Sequence, residues 1–465
     1  MKIRYEWLAV LFLSILPDIL LAQGTFTDAM REYEAGQYGK AQAIFSRLAQ
    51  LGQHDSQHNL AVMYLHGQGV EKDLSLSYAW ALLAAESGDA VFIKTRDTIK
   101  KNIADPTLSL ALSRAEELKK RYGLQALNMS LLPELVAADI SGYCNIKRTS
   151  TKMPEYPLSA LRVGQQGWVD LEFTLGKDGS VRDVIAIEPV LGDPAFAKSA
   201  YKSFIHARYE KPQAGGKSVE VFAAQSKIIF RIEMDGNYKY QRKLDAYYND
   251  LKTKAEAGHP GYQYMYAYIV SSHPDLWEKL TPQQVNEWFL KAAQAGVREA
   301  QYRMGWSLLY GQGCKADNSK AIEWITKSAQ ADYPHAQLLL ANALLYVLDK
   351  KPEYQEKALF WLEKAAERKF MPAQMKLAWI LSTNAETKYR DGKRALGLVE
   401  ALVKTYPDEV TAHETWAAVL AETGDFKQAI KKQEKAIDRA EDLKWDLAPL
   451  QARLAMYEQN KPWRE

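Results

Sequence analysis

At 465 residues, the chain is too long for one ordinary domain. Hydrophobic residues make up 47% and charged residues 25%, a globular composition that excludes a disordered chain, and a net charge of +3 without long like-charge blocks argues against nucleic acid as the partner. The two cysteines, Cys144 and Cys314, stand outside any CxxC or Cys/His spacing, which argues against a structural zinc site.

The chain opens with Lys2 and Arg4, an apolar run from Trp7 to Leu16, and Leu20-Leu21-Ala22 ahead of Gln23. This reads as a signal peptide over residues 1–22, so the protein is expected to be secreted. An uncleaved membrane anchor is the alternative. It is disfavoured because a spanning helix needs about 20 apolar residues, and Pro17 and Asp18 interrupt this run. In an oxidising compartment Cys144 and Cys314 are able to pair, and their redox state stays open.

Residues 23–140 read as helical. Met30 to Ala49 and Thr107 to Arg121 each keep the period of an amphipathic helix. Gln57 is followed four residues on by Ala61, and Trp80 with Ala84-Ala85 marks a second helix. Between them stands Tyr64-Leu-His-Gly67-Gln-Gly69-Val70, then Asp73. The glycines suit a helix C-cap and a tight turn with positive φ.

From residue 142 to 235 the pattern changes. Leu158 to Val163 reads as a short helix after Tyr156-Pro157. Val169, Leu171, Phe173 and Leu175 alternate with Asp170, Glu172 and Thr174, the signature of a half-buried strand. Lys177-Asp178-Gly179-Ser180 supplies a hairpin turn, with Val181 to Ile187 as the returning strand. Pro194 to Ala207 is helical by period, and Ser218 to Met234 is extended, with Ala224 to Ile232 richest in strand formers. The order is α-β-β-α-β, a compact α+β unit.

Residues 245–465 return to the first pattern. Gln263 precedes Ala267, Gln301 precedes Gly305, Gln337 precedes Ala341, Gln374 precedes Ala378, and His413 with Ala417 continues the series. A recurrence of about 36 to 38 residues fits a helix–turn–helix repeat whose units must stack to bury their apolar faces. Trp288 with Ala292-Ala293, Trp324 with Ser328-Ala329 and Trp361 with Ala365-Ala366 mark the second helices. Small residues let the helices approach closely and the aromatics fill the grooves beside them, so the tryptophans read as core. Tyr310-Gly311-Gln-Gly313-Cys314, then Asp317, repeats the earlier turn.

These residues carry two resemblances. The Y-x-x-G-x-G turn, the following Asp73 or Asp317, and the A-x-x-W-x-x-x-A-A helix resemble the Sel-one-like variety of tetratricopeptide repeat, and the units at Gln57 and Gln301 match it best. Gly36-Gln-Tyr-Gly-Lys-Ala41 and Gly424-Asp-Phe-Lys-Gln-Ala429 resemble ordinary tetratricopeptide turns. The implied fold is mainly α, a solenoid whose concave surface binds protein or peptide. The second resemblance rests on Met153-Pro-Glu-Tyr156-Pro157, Ala160, Gly164-Gln-Gln-Gly167-Trp168-Val169, the Asp178-Gly179 hairpin and Ala207-Arg208-Tyr209-Glu210-Lys211-Pro212. Together they look like the TonB C-terminal domain, with Ala207 where that family has Trp. Such a domain, inserted in the solenoid, implies that Tyr156, Pro157, Gly167, Asp178, Gly179, Arg208, Tyr209 and Pro212 are structural, with Tyr156 and Arg208 bracing the helix against the sheet.

In that family the last strand is a sheet edge that accepts an extended peptide from an outer-membrane receptor. The corresponding segment here is Ala224, Gln225, Ser226, Lys227, Ile228, Ile229, Phe230, Arg231 and Ile232. An edge strand offers unpaired backbone groups that a guest strand satisfies; the alternative is that the chain's own repeats cover this edge. TonB proteins also engage ExbB and ExbD through an N-terminal helix and cross the periplasm on a Pro-rich segment, whereas the 17 prolines here are scattered.

No G-x-S-x-G, HExxH, phosphate loop or dinucleotide fingerprint occurs. His54 and His58, spaced for one helix face, read as exposed repeat residues rather than metal ligands, and Glu116-Glu117 as a solvated face. The expectation is therefore a periplasmic adaptor or scaffold, not an enzyme, with no cofactor, metal or small-molecule substrate. Its partners would be envelope proteins, a TonB-dependent receptor among them, and its membrane association peripheral or absent. Two alternatives are an accessory part of energy-coupled transport joined to an ExbB/ExbD-type complex through an uncleaved anchor, and a cell-wall-associated structural repeat protein.

Overall fold

A computed structural model describes residues 24–136, 146–187, 194–214, 216–232, 238–272, 279–347, 352–406 and 408–465. The expected signal peptide and Cys144 lie outside the described residues. In chain order the elements begin with helices α1 (Phe26–Glu34), α2 (Tyr38–Gln50), α3 (His54–His66), α4 (Leu74–Ala84), α5 (Ala90–Lys101), α6 (Asp105–Tyr122) and α7 (Leu124–Ser130). A small sheet region follows: β1 (Arg148–Ser150), α8 (Leu158–Arg162), β2 (Gly167–Leu175), β3 (Val181–Ala186), α9 (Ala195–Phe204), β4 (Arg208–Tyr209), β5 (Gln213–Ala214), β6 (Lys217–Ser218) and β7 (Val221–Phe230). Helices then resume with α10 (Tyr238–Glu256), α11 (Pro260–Ser272), α12 (Pro282–Gln294), α13 (Arg298–Tyr310), α14 (Asn318–Gln330) and α15 (Pro334–Asn342). The last are α16 (Pro352–Glu367), α17 (Met371–Thr383), α18 (Gly392–Thr405), α19 (Val410–Glu422), α20 (Phe426–Asp442) and α21 (Ala448–Glu458). The chain is thus a mainly helical repeat protein carrying a small α+β domain.

The chain divides into two compact units. The first comprises residues up to 144 together with 248–340. The recurring glutamine has a specific task there. A helix leaves its last carbonyls without intrahelical donors. Gln57, Gln263, Gln301 and Gln337 each donate Nε2 to the penultimate carbonyl of the preceding helix, those of Ala49, Ala255, Ala293 and Ala329, at 3.0, 3.4, 3.2 and 3.0 Å. The small residue four positions on is a packing requirement: a Cβ on Gly305 would stand 2.5 Å from Ile325 Cγ1 and 3.0 Å from the Ala321 carbonyl oxygen, both on α14.

Both G-x-G turns use their two glycines differently. Gly67 and Gly311 end their helices in the left-handed region, at φ 70° and 69°. Gly69 and Gly313 let backbone meet backbone: a Cβ there would lie 2.5 Å from the Tyr38 carbonyl carbon and 2.5 Å from the Pro282 carbonyl oxygen, at the first residues of α2 and α12. Asp73 and Asp317 then cap α4 and α14, accepting from the amides of Ser75 and Lys320. Helices before and after the inserted domain pack as one unit. Thr27 Oγ1 donates to Asp332 at 2.6 Å, Trp324 Nε1 to the Leu131 carbonyl at 3.2 Å, and the Lys315 amide to the Glu134 carbonyl at 2.8 Å.

Three expectations are corrected in this unit. Met30 to Ala49 is not one helix but parts of α1 and α2, broken at Gly36, whose φ is 73°. His54 is buried, with Nδ1 3.1 Å from Gln57 Oε1, and His58 is half-buried against Phe92 and Thr95, so neither is an exposed repeat residue. Trp80 and Trp324 are core, but Trp288 is only half-buried, edge-on to Tyr266 and under Lys291 Nζ.

The second unit comprises residues 145–247 and 341–465, so the sheet region packs with the last helices of the chain. Its sheet has the strand order β3-β2-β7, antiparallel throughout. α9 packs Phe196 and Phe204 toward it: Phe196 stacks on Phe230 and Phe204 meets Phe173 edge-on. The alternation in β2 predicts a half-buried strand, yet Asp170 and Glu172 are buried as well as Val169, Leu171 and Phe173. β2 is paired on both edges and buried on both faces, and Lys227 Nζ lies 3.9 Å from the Asp170 carboxylate.

Candidate functional site

β7 lies at one end of the strand order, with β2 as its strand neighbour. The pairing runs from Gly167 opposite Phe230 to Leu175 opposite Val221. Between Phe173 and Leu175 the register shifts. Phe222 and Ala223 together oppose one residue of β2, a bulge in which Ala223 takes φ 53°. The strand lies within the expected extended stretch Ser218–Met234, and of the expected docking segment Ala224–Ile232 it includes all but Arg231 and Ile232. The strand begins at Val221 and stops at Phe230, because β2 begins at Gly167 and has no residue left to pair with Arg231. Ile232 still donates its amide to Gln166 Oε1, at 3.4 Å.

The two ends of β7 have different surroundings. At its start, Phe222 stacks on Tyr346 with ring centroids 5.4 Å apart, and Lys376 Nζ sits 4.4 Å from the Tyr346 centroid, so the repeats of this unit cover that end. Toward the other end, Ile228 and Phe230 point into the core, while the Ile229 side chain is 42% exposed.

The motif residues divide into two groups. Tyr156 reaches the edge: its ring stands edge-on to Phe196 of α9 and Phe230 of β7, with centroids 5.6 and 5.7 Å away, and its hydroxyl donates to the Gln165 carbonyl. Pro157 caps α8, and Gly167 opens β2 opposite Phe230. The second group gathers at the β2–β3 turn. Gly179, at φ 80°, lies so near the Tyr209 carbonyl that no side chain fits. Arg208 Nη2 donates to the Asp178 carbonyl at 2.9 Å, so it fastens this turn, whereas Tyr156 packs between helix and sheet. Tyr209 stacks on Phe173 and hydrogen-bonds Ser226 of β7. The Pro212 carbonyl accepts from the Val219 amide at 3.0 Å, closing the short β5–β6 hairpin. Burial pushes the Asp178 carboxyl up, but Ser180, the Asp446 amide and Arg182 outweigh it and hold it at about 2.

A seam that the sequence reading missed fixes the sheet to α19. Asp183, at φ 54° in a bulge of β3, accepts from Thr411 Oγ1 at 3.1 Å. Glu409, just before α19, accepts from the Tyr201 hydroxyl at 2.5 Å and from the Asp183 amide at 3.4 Å. Burial raises both carboxyls, that of Glu409 to about 7. Arg182 lies over the Trp445 ring at 4.7 Å. Among the described residues, no group of three or more His, Cys, Asp or Glu is placed to hold a metal ion, and no helix is long and apolar enough to cross a membrane. Cys314 is buried and free, and burial raises its thiol to about 12.

Comparison with known proteins follows this division. Residues 152–232 match the model of the family described as Gram-negative bacterial TonB protein C-terminal. Residues 54–89, 286–297, 298–333 and 334–370 match the Sel1 repeat. Among solved structures, a Sel1 repeat protein from Oxalobacter formigenes is 20% identical, with 48% of this chain and 88% of that chain covered and a TM-score of 0.38. A protective antigen present in uropathogenic Escherichia coli strains, displaying an SLR fold, is 18% identical, with 93% and 84% covered and a TM-score of 0.35. No curated protein matches the chain.

Proposed function

From a chain that carries a TonB C-terminal domain among Sel1 repeats, we propose a protein-interaction scaffold of the Gram-negative envelope, acting in the periplasm. In this reading the β7 edge takes up an extended segment of an envelope protein, an outer-membrane receptor foremost, by strand addition. The position of β7 at the end of the strand order carries the proposal. An end strand aligns a guest through main-chain hydrogen bonds, and side-chain pockets select its sequence. The covered start of β7 narrows the docking place to its second half, around Ile228–Phe230, where Ile229 offers an exposed apolar side chain. The stacked helical hairpins hold a second partner. Neither matching family is described as an enzyme, and the reading needs no chemistry.

The test is capture of envelope proteins by three chains: the full protein, one with Ile229→Pro, and one lacking residues 142–235. Proline removes a backbone donor and is poorly tolerated in a paired strand. Both altered chains are expected to lose the same receptor while keeping partners held by the repeats. An unchanged partner set in the chain lacking 142–235 would remove the sheet edge from the function.

A further inference from the structure

We infer that the cleft between residues 152–158 and α9 is a second docking site, separate from the β7 edge, and that it takes an acidic extended segment of a partner protein carrying an apolar side chain. The cleft has a volume of about 430 Å³. One wall is the chain from Lys152 to Leu158, and the other is the face of α9 that bears Lys198 and Lys202. Side chains hold the two walls together. Ser203 Oγ donates to the Lys152 carbonyl at 2.7 Å, and Ser199 Oγ donates to the Glu155 carbonyl. The shape is therefore built before a ligand arrives, which reduces the ordering that binding requires.

Its apolar surface is unusually open. Met153 is 81% exposed and Leu158 68%. Exposed apolar side chains gathered within a few residues mark a contact surface more often than scattered ones do, and the flexible thioether of Met153 adapts to different guests. Charge decides the class of guest. Lys152, Lys198 and Lys202 are all exposed, and no described ion pair uses them, while Glu155 is the one acid in the lining. Ammonium groups on long stems, in one lining with Met153 and Leu158, suit single carboxylates flanking an apolar side chain. The two serines already bond backbone, so the lysines are the groups left to read the guest.

The test uses the full chain and a short fluorescein-labelled peptide in which Asp and Glu flank a Leu, read by anisotropy at low salt. Saturable binding is expected. The Asn/Gln counterpart should bind more than tenfold weaker. Lys198→Gln or Lys202→Gln alone should cost roughly two- to fivefold, the scale of one exposed ion pair, and Lys152→Glu/Lys198→Glu/Lys202→Glu more than tenfold. Met153→Ser/Leu158→Ser should weaken binding by a similar factor, whereas Lys217→Glu should leave it unchanged. Circular dichroism confirms that each variant folds, and the single glutamine changes carry the test if the triple reversal does not. Equal binding of the amide peptide, survival of binding in the lysine variants, an equal loss in Lys217→Glu, or binding of anionic lipid vesicles without the peptide would each overturn the inference.

Discussion

The helix ends of the first unit and the α19 seam of the second both bury polar side chains, but of opposite kinds. At the helix ends the buried group is a neutral amide, and each glutamine serves a carbonyl eight residues behind it. At the seam the buried groups ionise: Glu409 and Asp183 are held by Tyr201 and Thr411, and Glu414 on the same helix pairs with Arg453. A neutral amide can be copied from unit to unit, because its desolvation cost is modest and one hydrogen bond offsets it. A buried carboxyl is tied to its partners, so it joins two particular surfaces and makes their union depend on pH and on every member of the group. The repeats extend the solenoid, and the seam fixes where the sheet domain stands on α19.

The comparison breaks most visibly at Arg453. Its guanidinium pairs with the buried Glu414 and lies 5.4 and 5.7 Å from the centroids of Trp379 and Trp463. Arg453→Met leaves a buried carboxylate alone and should cost about 4 kcal/mol in urea unfolding. Adding Glu414→Leu should restore most of that loss. A single variant within about 1 kcal/mol of the parent would show that the pair is solvated.

The next effect concerns pH. Burial raises Glu409 from its ordinary 4.5 to about 7, and Asp183 moves in the same direction. The folded chain therefore binds the proton more tightly than the unfolded one. The stability this gives is complete below about 4.5 and is lost as pH rises to about 7, a change of about 3 kcal/mol. Glu409→Gln keeps an acceptor for Tyr201 without the titration. Urea midpoints at pH 5 and pH 8 should diverge in the parent and by clearly less in this variant, where Asp183 alone of the two still titrates. A parent with the higher midpoint at pH 8 would reverse the assignment.

The same contrast explains what the sequence could disclose. The glutamine, the small residue and the G-x-G turn recur at fixed offsets because each meets a local need, so spacing reveals them. Period two likewise shows the core face of β2. It is silent on Asp170 and Glu172, whose burial depends on cover from elsewhere in the chain. Met30 to Ala49 reads as one helix because Ala35, Gly36 and Gln37 fill almost one turn and leave the apolar phase intact across the break. The bulge at Ala223 lets the neighbours Val221 and Phe222 both be buried, which a strict period of two does not predict. Tyr201 and Glu409 are 208 residues apart and share no local pattern. Nor does Lys152 announce that it joins Lys198 and Lys202; the bonds from Ser199 and Ser203 bring that segment to α9.

On the repeat side, Gly69→Ala sharpens the comparison. The residue sits at φ 69°, and a Cβ would press on the Tyr38 carbonyl carbon at 2.5 Å. The left-handed conformation costs about 1 kcal/mol for a residue with Cβ, and displacing α2 adds a comparable amount, so the expected loss is about 2 kcal/mol. Gly36→Ala, with nothing within 4 Å of its Cβ, should cost only the conformational part. Equal losses at the two glycines would mean that the close approach to α2 contributes nothing.

The smallest effect is the most discriminating, because it tests whether the amide is stabilising or merely tolerated. Gln337 is fully buried; its Nε2 serves the Ala329 carbonyl, and its Oε1 has no hydrogen-bond partner. Gln337→Leu removes one satisfied group and one unsatisfied group together. The Ala329 carbonyl keeps the Asp332 amide, at 3.1 Å. Losing the bond destabilises by about 1 kcal/mol, and burying methyls in place of the unpartnered oxygen returns part of it. The net change in urea unfolding should therefore be about 1 kcal/mol or less, with the same value at pH 5 and pH 8. A loss of about 3 kcal/mol, or one that varies with pH, would place the glutamine ends in the same class as the carboxyl seam and dissolve the distinction between the two regions.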